Sequence, residues 1–116
     1  MPYLLIRTNC PVEPSRQQAL LKQCSAKVAE LLGKPERYVM VSLEPQANMV
    51  FSGEGSPCAY LELKSIGLPG KRTGELSATL SRLIKEELGI PQERTYIEFA
   101  DAARHMWGWN GGTFER

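Results

Sequence analysis

The second residue of the chain offers a base for acid–base chemistry. Pro2 is a small residue after Met1, so we expect a methionine aminopeptidase to remove Met1 and leave the Pro2 nitrogen as a free secondary amine. A free α-amino group has a reference pKa of about 7.7–8.0, and desolvation lowers it, so an amine at the rim of an apolar pocket titrates near neutrality. General-base catalysis favours such a pKa. Proline is nevertheless common at position two, and Pro2 alone does not indicate an enzyme.

A short strand would hold this amine in place. Tyr3-Leu4-Leu5-Ile6 is an apolar run, and residues 2–8 are predicted to form a buried strand. A strand would fix the amine against a rigid element, whereas a free terminus frays. Pro11 and Pro14 then interrupt the pattern and predict a loop.

The segment after that loop predicts a helix and then a second strand. Apolar residues recur at helical spacing: Leu20, Leu21, Cys24, Val28, Leu31 and Leu32. The helix is therefore placed at 15–32, where Ser15 and Gln18 have the spacing of a capping box and Gly33 ends the helix. The run 38–43 is rich in strand formers.

The same order of elements occurs a second time. Residues 58–64 predict a strand, and residues at about 72–88 predict a helix with one apolar face. Gly89 and Pro91 end this helix as a glycine and a proline end the first. The matching runs are Leu32-Gly33-Lys34-Pro35-Glu36-Arg37-Tyr38-Val39 and Leu88-Gly89-Ile90-Pro91-Gln92-Glu93-Arg94-Thr95-Tyr96-Ile97, the second with two extra residues.

This internal repeat defines the expected fold. Repeats at about 2–45 and 58–101, with a C-terminal segment at 102–116, predict a single α/β (α+β) domain over 1–116. Crossovers of this length join parallel strands, so we expect a four-stranded mixed sheet with both helices on one face. The first two strands look apolar on both faces. We therefore expect another subunit to cover the face without helices.

Composition argues against several kinds of function. The 116 residues carry 14 basic and 13 acidic side chains, a net charge of +1, which predicts no binding to nucleic acid or to an anionic membrane. No apolar run is long enough to span a membrane, and the N-terminus lacks the pattern of a signal peptide, so we expect a cytoplasmic protein. Cys10, Cys24 and Cys58 are widely spaced and His105 is the only histidine, which argues against a disulfide framework and a metal site.

The C-terminal segment combines aromatic residues with glycines. Residues 105–114 contain both tryptophans, Trp107 and Trp109, without a helical or strand period. Large aromatic side chains in such a segment need a surface to pack against. That surface is either the core of the chain itself or a neighbouring subunit, where the aromatics would also wall a pocket. The sequence leaves both open.

Together these features resemble one family over essentially the whole chain: the macrophage migration inhibitory factor (MIF) family of the tautomerase superfamily. The runs that carry the resemblance are Pro2 after Met1, Thr8-Asn9, Gly33-Lys34-Pro35 with Tyr38, Ser65-Ile66-Gly67, Arg94-Thr95-Tyr96-Ile97, and Gly108-Trp109-Asn110 with Thr113-Phe114. Their joint order and spacing, more than any single run, supports it. The resemblance implies a MIF-like fold assembled as a homotrimer, with active sites at the subunit interfaces.

The resemblance also implies a cofactor-free keto–enol tautomerase of phenylpyruvate-like or dopachrome-like keto acids. Pro2 would be the general base, Lys34 would meet the substrate carboxylate, and Ile66 would offer a backbone contact beside it. Lys34 would also lower the pKa of the Pro2 amine. Considered alone, Lys34 is equally a lysine that favours the C-terminal end of a helix dipole. Enolisation itself requires neither a metal nor an organic cofactor.

The remaining implied site residues are aromatic or acidic. Tyr96 would reach the pocket from an adjacent subunit and donate a hydrogen bond. Three residues would wall the aromatic end of the pocket: Tyr38, Trp109 and Phe114. Glu98 stands near the pocket where the mammalian cytokine has an asparagine, and its carboxylate would raise the pKa of Pro2.

Two further positions depart from the family pattern. Trp107 replaces a smaller apolar residue, which predicts a tighter pocket mouth. Cys58-Ala59-Tyr60-Leu61 keeps only the first cysteine of a C-x-x-C motif, so we expect no thiol–disulfide exchange.

Two alternative functions stay open. One is a receptor-binding signalling protein that leaves the cell without a leader, as animal members of the family do. The other is a sister reaction of the same amine, dehalogenation or decarboxylation, for which Arg7 is the nearest additional cation in sequence. The expected partners are a small keto acid and further copies of the chain, with receptor binding as the alternative.

Overall fold

The computed structural model describes residues 1–115 and contains two strand–helix–strand units followed by a hairpin. The elements are β1 (Tyr3–Thr8), α1 (Pro14–Leu32), β2 (Met40–Glu44), β3 (Ala59–Ile66), α2 (Thr73–Leu88), β4 (Thr95–Ala102), β5 (Gly108–Trp109) and β6 (Gly112–Thr113). The sheet order is β2-β1-β3-β4. Strand β1 runs parallel to β2, β3 runs parallel to β4, and β1 and β3 are antiparallel. The predicted four-stranded mixed sheet is confirmed.

Both long helices end at a glycine in the left-handed region. Gly33 after α1 has a φ of 62°, and Gly89 after α2 has a φ of 71°. A Cβ atom is disfavoured at such a φ, so these glycines stop the helices and turn the chain back toward the sheet. One turn of 3₁₀ helix follows each stop, at Glu36–Tyr38 and Gln92–Arg94. The first of these turns delays the second strand, which begins at Met40 and not at the predicted residue 38.

The predicted cap at Ser15 is wrong. Helix α1 begins one residue earlier, at Pro14, and its N-cap Glu13 makes no side-chain cap. Proline has no N–H and a fixed φ, so it suits the first helical position and places Ser15 inside the first turn. The Gln17 Nε2 instead donates to the Val12 carbonyl at 2.7 Å.

The hydrophobic core lies between the sheet and the two helices. Alternate residues of β1 and β3 point into it, including Leu4, Ile6, Leu61 and Leu63. They join one buried cluster with residues of both helices, namely Leu20, Cys24, Val28, Leu76, Leu80, Leu83 and Ile84. Both helices therefore cover the same face of the sheet, as predicted.

The face without helices is mixed in polarity, whereas the first two strands were expected to be apolar on both faces. The Tyr3 hydroxyl and the Ser42 hydroxyl are 2.6 Å apart, and Arg7 pairs with Glu44 on the neighbouring strand. The same face also carries Met40, opposite Tyr3, and Tyr96, opposite Tyr60, which are 66% and 65% exposed. The edge strands β2 and β4 remain unpaired on one side within the described residues.

Candidate active site

A cavity of about 510 Å³ opens at one end of the sheet. It lies where β1 and β2 begin and where β3 ends, because Tyr3 pairs with Met40 on one side and with Lys64 on the other. Four of the residues predicted for the site line it: Pro2, Tyr38, Trp109 and Phe114. A volume of this size accommodates a small aromatic ligand.

The Pro2 side chain is fully buried at the inner wall of this cavity. Its carbonyl accepts a hydrogen bond from the Met40 N–H at 3.0 Å, which continues the pairing of β1 with β2. Met1 precedes Pro2 in the structure, so the free amine belongs to Met1. That amine donates to the Tyr38 carbonyl at 2.9 Å.

The environment of the amino terminus disfavours its positive charge. Burial first, and the charge of Lys34 second, lower the pKa of the Met1 amine from 8.0 to about 6. Both causes act on any amine placed at this end of β1. The Met1 amine is therefore largely neutral, and able to accept a proton, at pH 7.

Lys34 lies near the cavity, in the turn that follows α1, but neither Lys34 nor Ile66 lines it. Its N–H donates to the Ala29 carbonyl at 3.0 Å as part of the helix stop. The Lys34 Nζ lies beside Gly67, where an added Cβ would be 3.9 Å from it. Gly67 directly follows Ile66, the last residue of β3, whose side chain is 6% exposed. Lys34, Ile66 and the amino terminus thus meet at the same end of the sheet.

The aromatic wall is built from the chain's own C-terminal segment. Tyr38 meets Trp109 edge-on with ring centroids 5.6 Å apart and meets Phe114 in the same manner at 5.9 Å. Trp109 and Phe114 stack with centroids 5.4 Å apart. Strands β5 and β6 form a hairpin that holds these rings together, whereas no strand was expected in this segment. Trp107 also lines the cavity.

Tyr96 and Glu98 lie outside this cavity in the same chain. Tyr96 pairs with Tyr60 near the start of β3, six residues before Ile66, which corresponds to about 20 Å along a strand. Its ring packs on Phe51 with centroids 4.9 Å apart, and its side chain is 65% exposed. Glu98 lies midway along β4 and accepts a hydrogen bond from the Tyr60 hydroxyl at 3.3 Å. Both could approach a Pro2 amine only in another copy of the chain.

Two cations that the sequence did not single out line the cavity, Arg37 and Lys64. The Arg37 guanidinium carbon lies 4.9 Å from the centroid of the Tyr38 ring. The Lys64 Nζ lies 3.4 Å from the Glu62 carboxylate on the polar face. The alternation of side chains along β3 was a signal that could have placed Lys64 on the face without helices, opposite Tyr3. No comparable sequence pattern identifies Arg37 as a cavity residue.

The remaining candidates for chemistry lie away from the cavity. Cys10, Cys24 and Cys58 are unpaired, and burial raises the pKa of the Cys24 thiol to about 12. His105 lies 3.9 Å from the Glu115 carboxylate on the surface. Residues 1–115 contain no group of three His, Cys, Asp or Glu side chains placed to hold a metal ion. Neither long helix in that range is apolar enough to cross a membrane.

Comparison with known proteins gives one consistent result. A family model for macrophage migration inhibitory factor (MIF) matches residues 1–115. A macrophage migration inhibitory factor homolog of Brugia malayi is 44% identical over 115 residues, which cover 98% of this chain and 99% of the relative. The macrophage migration inhibitory factor of Rattus norvegicus is 36% identical over 115 residues, with the same coverage of 98% and 99%. A crystal structure of a homologue from Prochlorococcus marinus superposes with a TM-score of 0.91 at 47% identity, covering 97% of this chain and 98% of that one.

Proposed function

Because the chain belongs to the macrophage migration inhibitory factor family, we propose that it is a cofactor-free keto–enol tautomerase of phenylpyruvate-like aromatic keto acids. One observation carries the proposal: the amino terminus lies in an aromatic-walled cavity, where burial and Lys34 lower the pKa of its amine to about 6. A neutral amine is what proton transfer at neutral pH requires. The family and the fold agree with an isomerase and leave the substrate to be tested.

In the proposed reaction the Pro2 amine, freed by removal of Met1, carries one proton between two atoms of the substrate. The neutral amine takes the proton from the enol oxygen, which leaves an enolate and a prolinium. As the oxygen's electron pair forms the carbonyl, the electrons of the carbon–carbon double bond take the proton from the prolinium onto the carbon, which returns the amine to its neutral form. No other reactant is consumed, so the product is an isomer of the substrate.

The other site residues are proposed to bind the substrate. Lys34 offers a compact cation to the substrate carboxylate, beside the backbone at Ile66. The substrate's ring would pack against Tyr38, Trp109 and Phe114, whose edge-on and stacked contacts already form an apolar wall. A tight fit here would orient the reacting carbon toward the amine.

Tyr96 and Glu98 take part only if the chain assembles with copies of itself, and we propose the homotrimer of the family. Tyr96 is largely exposed and lies at the opposite end of the sheet from the cavity, so it is available to a neighbour's site. Strands β2 and β4 each leave one edge unpaired, and such edges favour pairing with another chain. Native mass spectrometry tests this directly, since a monomer would exclude it.

Family membership also supports a second function, a receptor-binding signalling role outside the cell. The two functions differ in their need for the amine. A processed Pro2→Gly protein exchanges the secondary amine of proline for a primary amine and keeps its surface, so receptor binding would survive the change while tautomerase activity would fall.

The decisive experiment follows the ultraviolet change as the enol of phenylpyruvate becomes the ketone. The proteins are the processed wild type, verified by intact mass, a form that retains Met1, Pro2→Gly, and the control Pro11→Gly in the exposed loop after β1. We expect turnover by the wild type and Pro11→Gly, a loss of about 10²-fold or more for Pro2→Gly, and none with Met1 retained, because the Pro2 nitrogen is then an amide. Inactive processed wild type would refute the proposal.

A further inference from the structure

The charged residues that line the cavity are all cations. Of the described residues at its wall, only Arg37 and Lys64 carry charge, and Lys34 acts on the amine from beside Gly67. The proposed keto acid needs one cation for its single carboxylate, and Lys34 suits that role. The cavity therefore offers more positive charge than a singly charged substrate can use.

Arg37 lies at the aromatic end of the cavity, apart from Lys34. Its guanidinium is held over the Tyr38 ring at 4.9 Å, and the same ring contacts Trp109 and Phe114. A substrate ring packed on this wall would therefore bring its outer edge toward Arg37. Stacking leaves the N–H groups of a guanidinium available in its plane, where they match a carboxylate.

Lys64 is less available for this purpose. Its ammonium lies 3.4 Å from the Glu62 carboxylate, which also accepts from the Tyr60 hydroxyl at 2.8 Å. Among residues 1–115 no carboxylate pairs with Arg37 in a comparable way. Arg37 is therefore the one cation of the cavity wall whose charge is not offset by a neighbouring acid.

We propose that Arg37 is a specificity-determining residue that binds a carboxylate on the outer edge of the substrate's aromatic ring. The preferred substrates are then doubly anionic: a keto acid group held at the Pro2 and Lys34 end, and a second carboxylate held by Arg37. This inference rests on the proposed tautomerase function for its choice of substrate class, but the selectivity of binding can be measured without turnover.

The binding test uses two unreactive ligands of nearly equal shape, 3-(4-carboxyphenyl)propanoate and 3-(4-carbamoylphenyl)propanoate. Both tryptophans of the chain line the cavity, so their fluorescence reports binding. The processed protein is compared with Arg37→Gln, Arg37→Lys, Lys64→Gln and, as a control for net charge, Arg82→Gln on the exposed side of α2. The measured quantity is the ratio of the two dissociation constants.

We expect the wild type and Arg82→Gln to bind the carboxy ligand about fivefold tighter, near the upper limit for a partly exposed ion pair. Arg37→Gln should reduce the ratio to about one, and Arg37→Lys should restore part of it. A wild-type ratio near one would overturn the inference. It would also be overturned if Lys64→Gln abolished the preference for the carboxy ligand while Arg37→Gln retained it.

A turnover arm separates this inference from the proposed function. The processed wild type is assayed with phenylpyruvate and with its 4-carboxy and 4-carbamoyl derivatives. Turnover of phenylpyruvate without a preference for the 4-carboxy substrate refutes the role of Arg37 and leaves the tautomerase proposal standing. Selective binding of the carboxy ligand without any turnover supports Arg37 as an anion site and refutes the tautomerase.

Discussion

Removing the charge of Lys34 should raise the pKa of the catalytic amine, but only part of the way to its ordinary value. Burial and Lys34 together lower the pKa of the Met1 amine from 8.0 to about 6, and burial is the larger cause; we expect the same two causes to act in the same proportion on the Pro2 amine. Lys34 therefore accounts for less than half of the lowering. The Lys34→Ala protein should show an apparent pKa between about 6 and about 7.

This shift has a small effect on the amount of active base at neutral pH. An amine with a pKa of about 6 is roughly nine-tenths neutral at pH 7, and one with a pKa of about 7 is still roughly half neutral. Protonation thus explains less than about a twofold loss of kcat/KM at pH 7. Any larger loss must come from the missing contact with the substrate carboxylate, and it should persist at pH 9 as a raised KM.

The assay is the pH dependence of kcat/KM for phenylpyruvate with the processed proteins. The activity of the wild type should fall as the pH drops through about 6, since the amine becomes charged and cannot accept a proton. Lys22→Ala, an exposed lysine on α1, is the matched control and should leave the profile unchanged. An apparent pKa for Lys34→Ala equal to that of the wild type, or below it, would refute the electrostatic role of Lys34.

Three further predictions concern stability, measured by urea denaturation. Arg94 donates hydrogen bonds to four backbone carbonyls, those of Phe51, Glu54, Ser56 and Pro57. Arg94→Ala should therefore lower the free energy of unfolding by about 1.5–3 kcal/mol. A loss no larger than that caused by replacing an exposed arginine would contradict this prediction. Gly89→Ala should cost about 1–2 kcal/mol because its φ is 71°, and an unchanged midpoint would be inconsistent with that conformation. Leu61→Ala, at a fully buried position, should cost about 2–5 kcal/mol, whereas exposed Val50→Ala should cost little; equal effects would disprove the assigned core.

The sequence predicted the fold where local chemistry decides it. The helix stops at Gly33 and Gly89 follow from the conformational freedom of glycine, and both were predicted. The predictions were wrong where neighbouring residues compete for the same structural position or the same face of a strand. Pro14 displaced Ser15 from the cap, and the apolar run at the start of the chain concealed that Tyr3 turns a hydroxyl to Ser42 on the open face.

The site was less predictable because it is assembled from distant parts of the chain. Pro2, Tyr38, Trp109 and Phe114 line one cavity although they lie far apart in the sequence. Arg37 was missed because nothing in its neighbourhood shows that its guanidinium stacks on the ring of the next residue. A contact of that kind is visible only once the chain has folded.

The internal repeat explains how the two ends of the sheet come to differ. Tyr38 and Tyr96 are equivalent in the repeat, and the antiparallel pairing of β1 with β3 places them at opposite ends of the sheet. After the first helix stop the chain has Lys34, which acts on the amine.

The equivalent residue after the second stop is Ile90, fully buried in the core. One end of the sheet thus carries an amine and a cation, while the other end carries an exposed tyrosine. In the proposed trimer these unlike ends meet, so a single duplicated unit supplies both halves of the site.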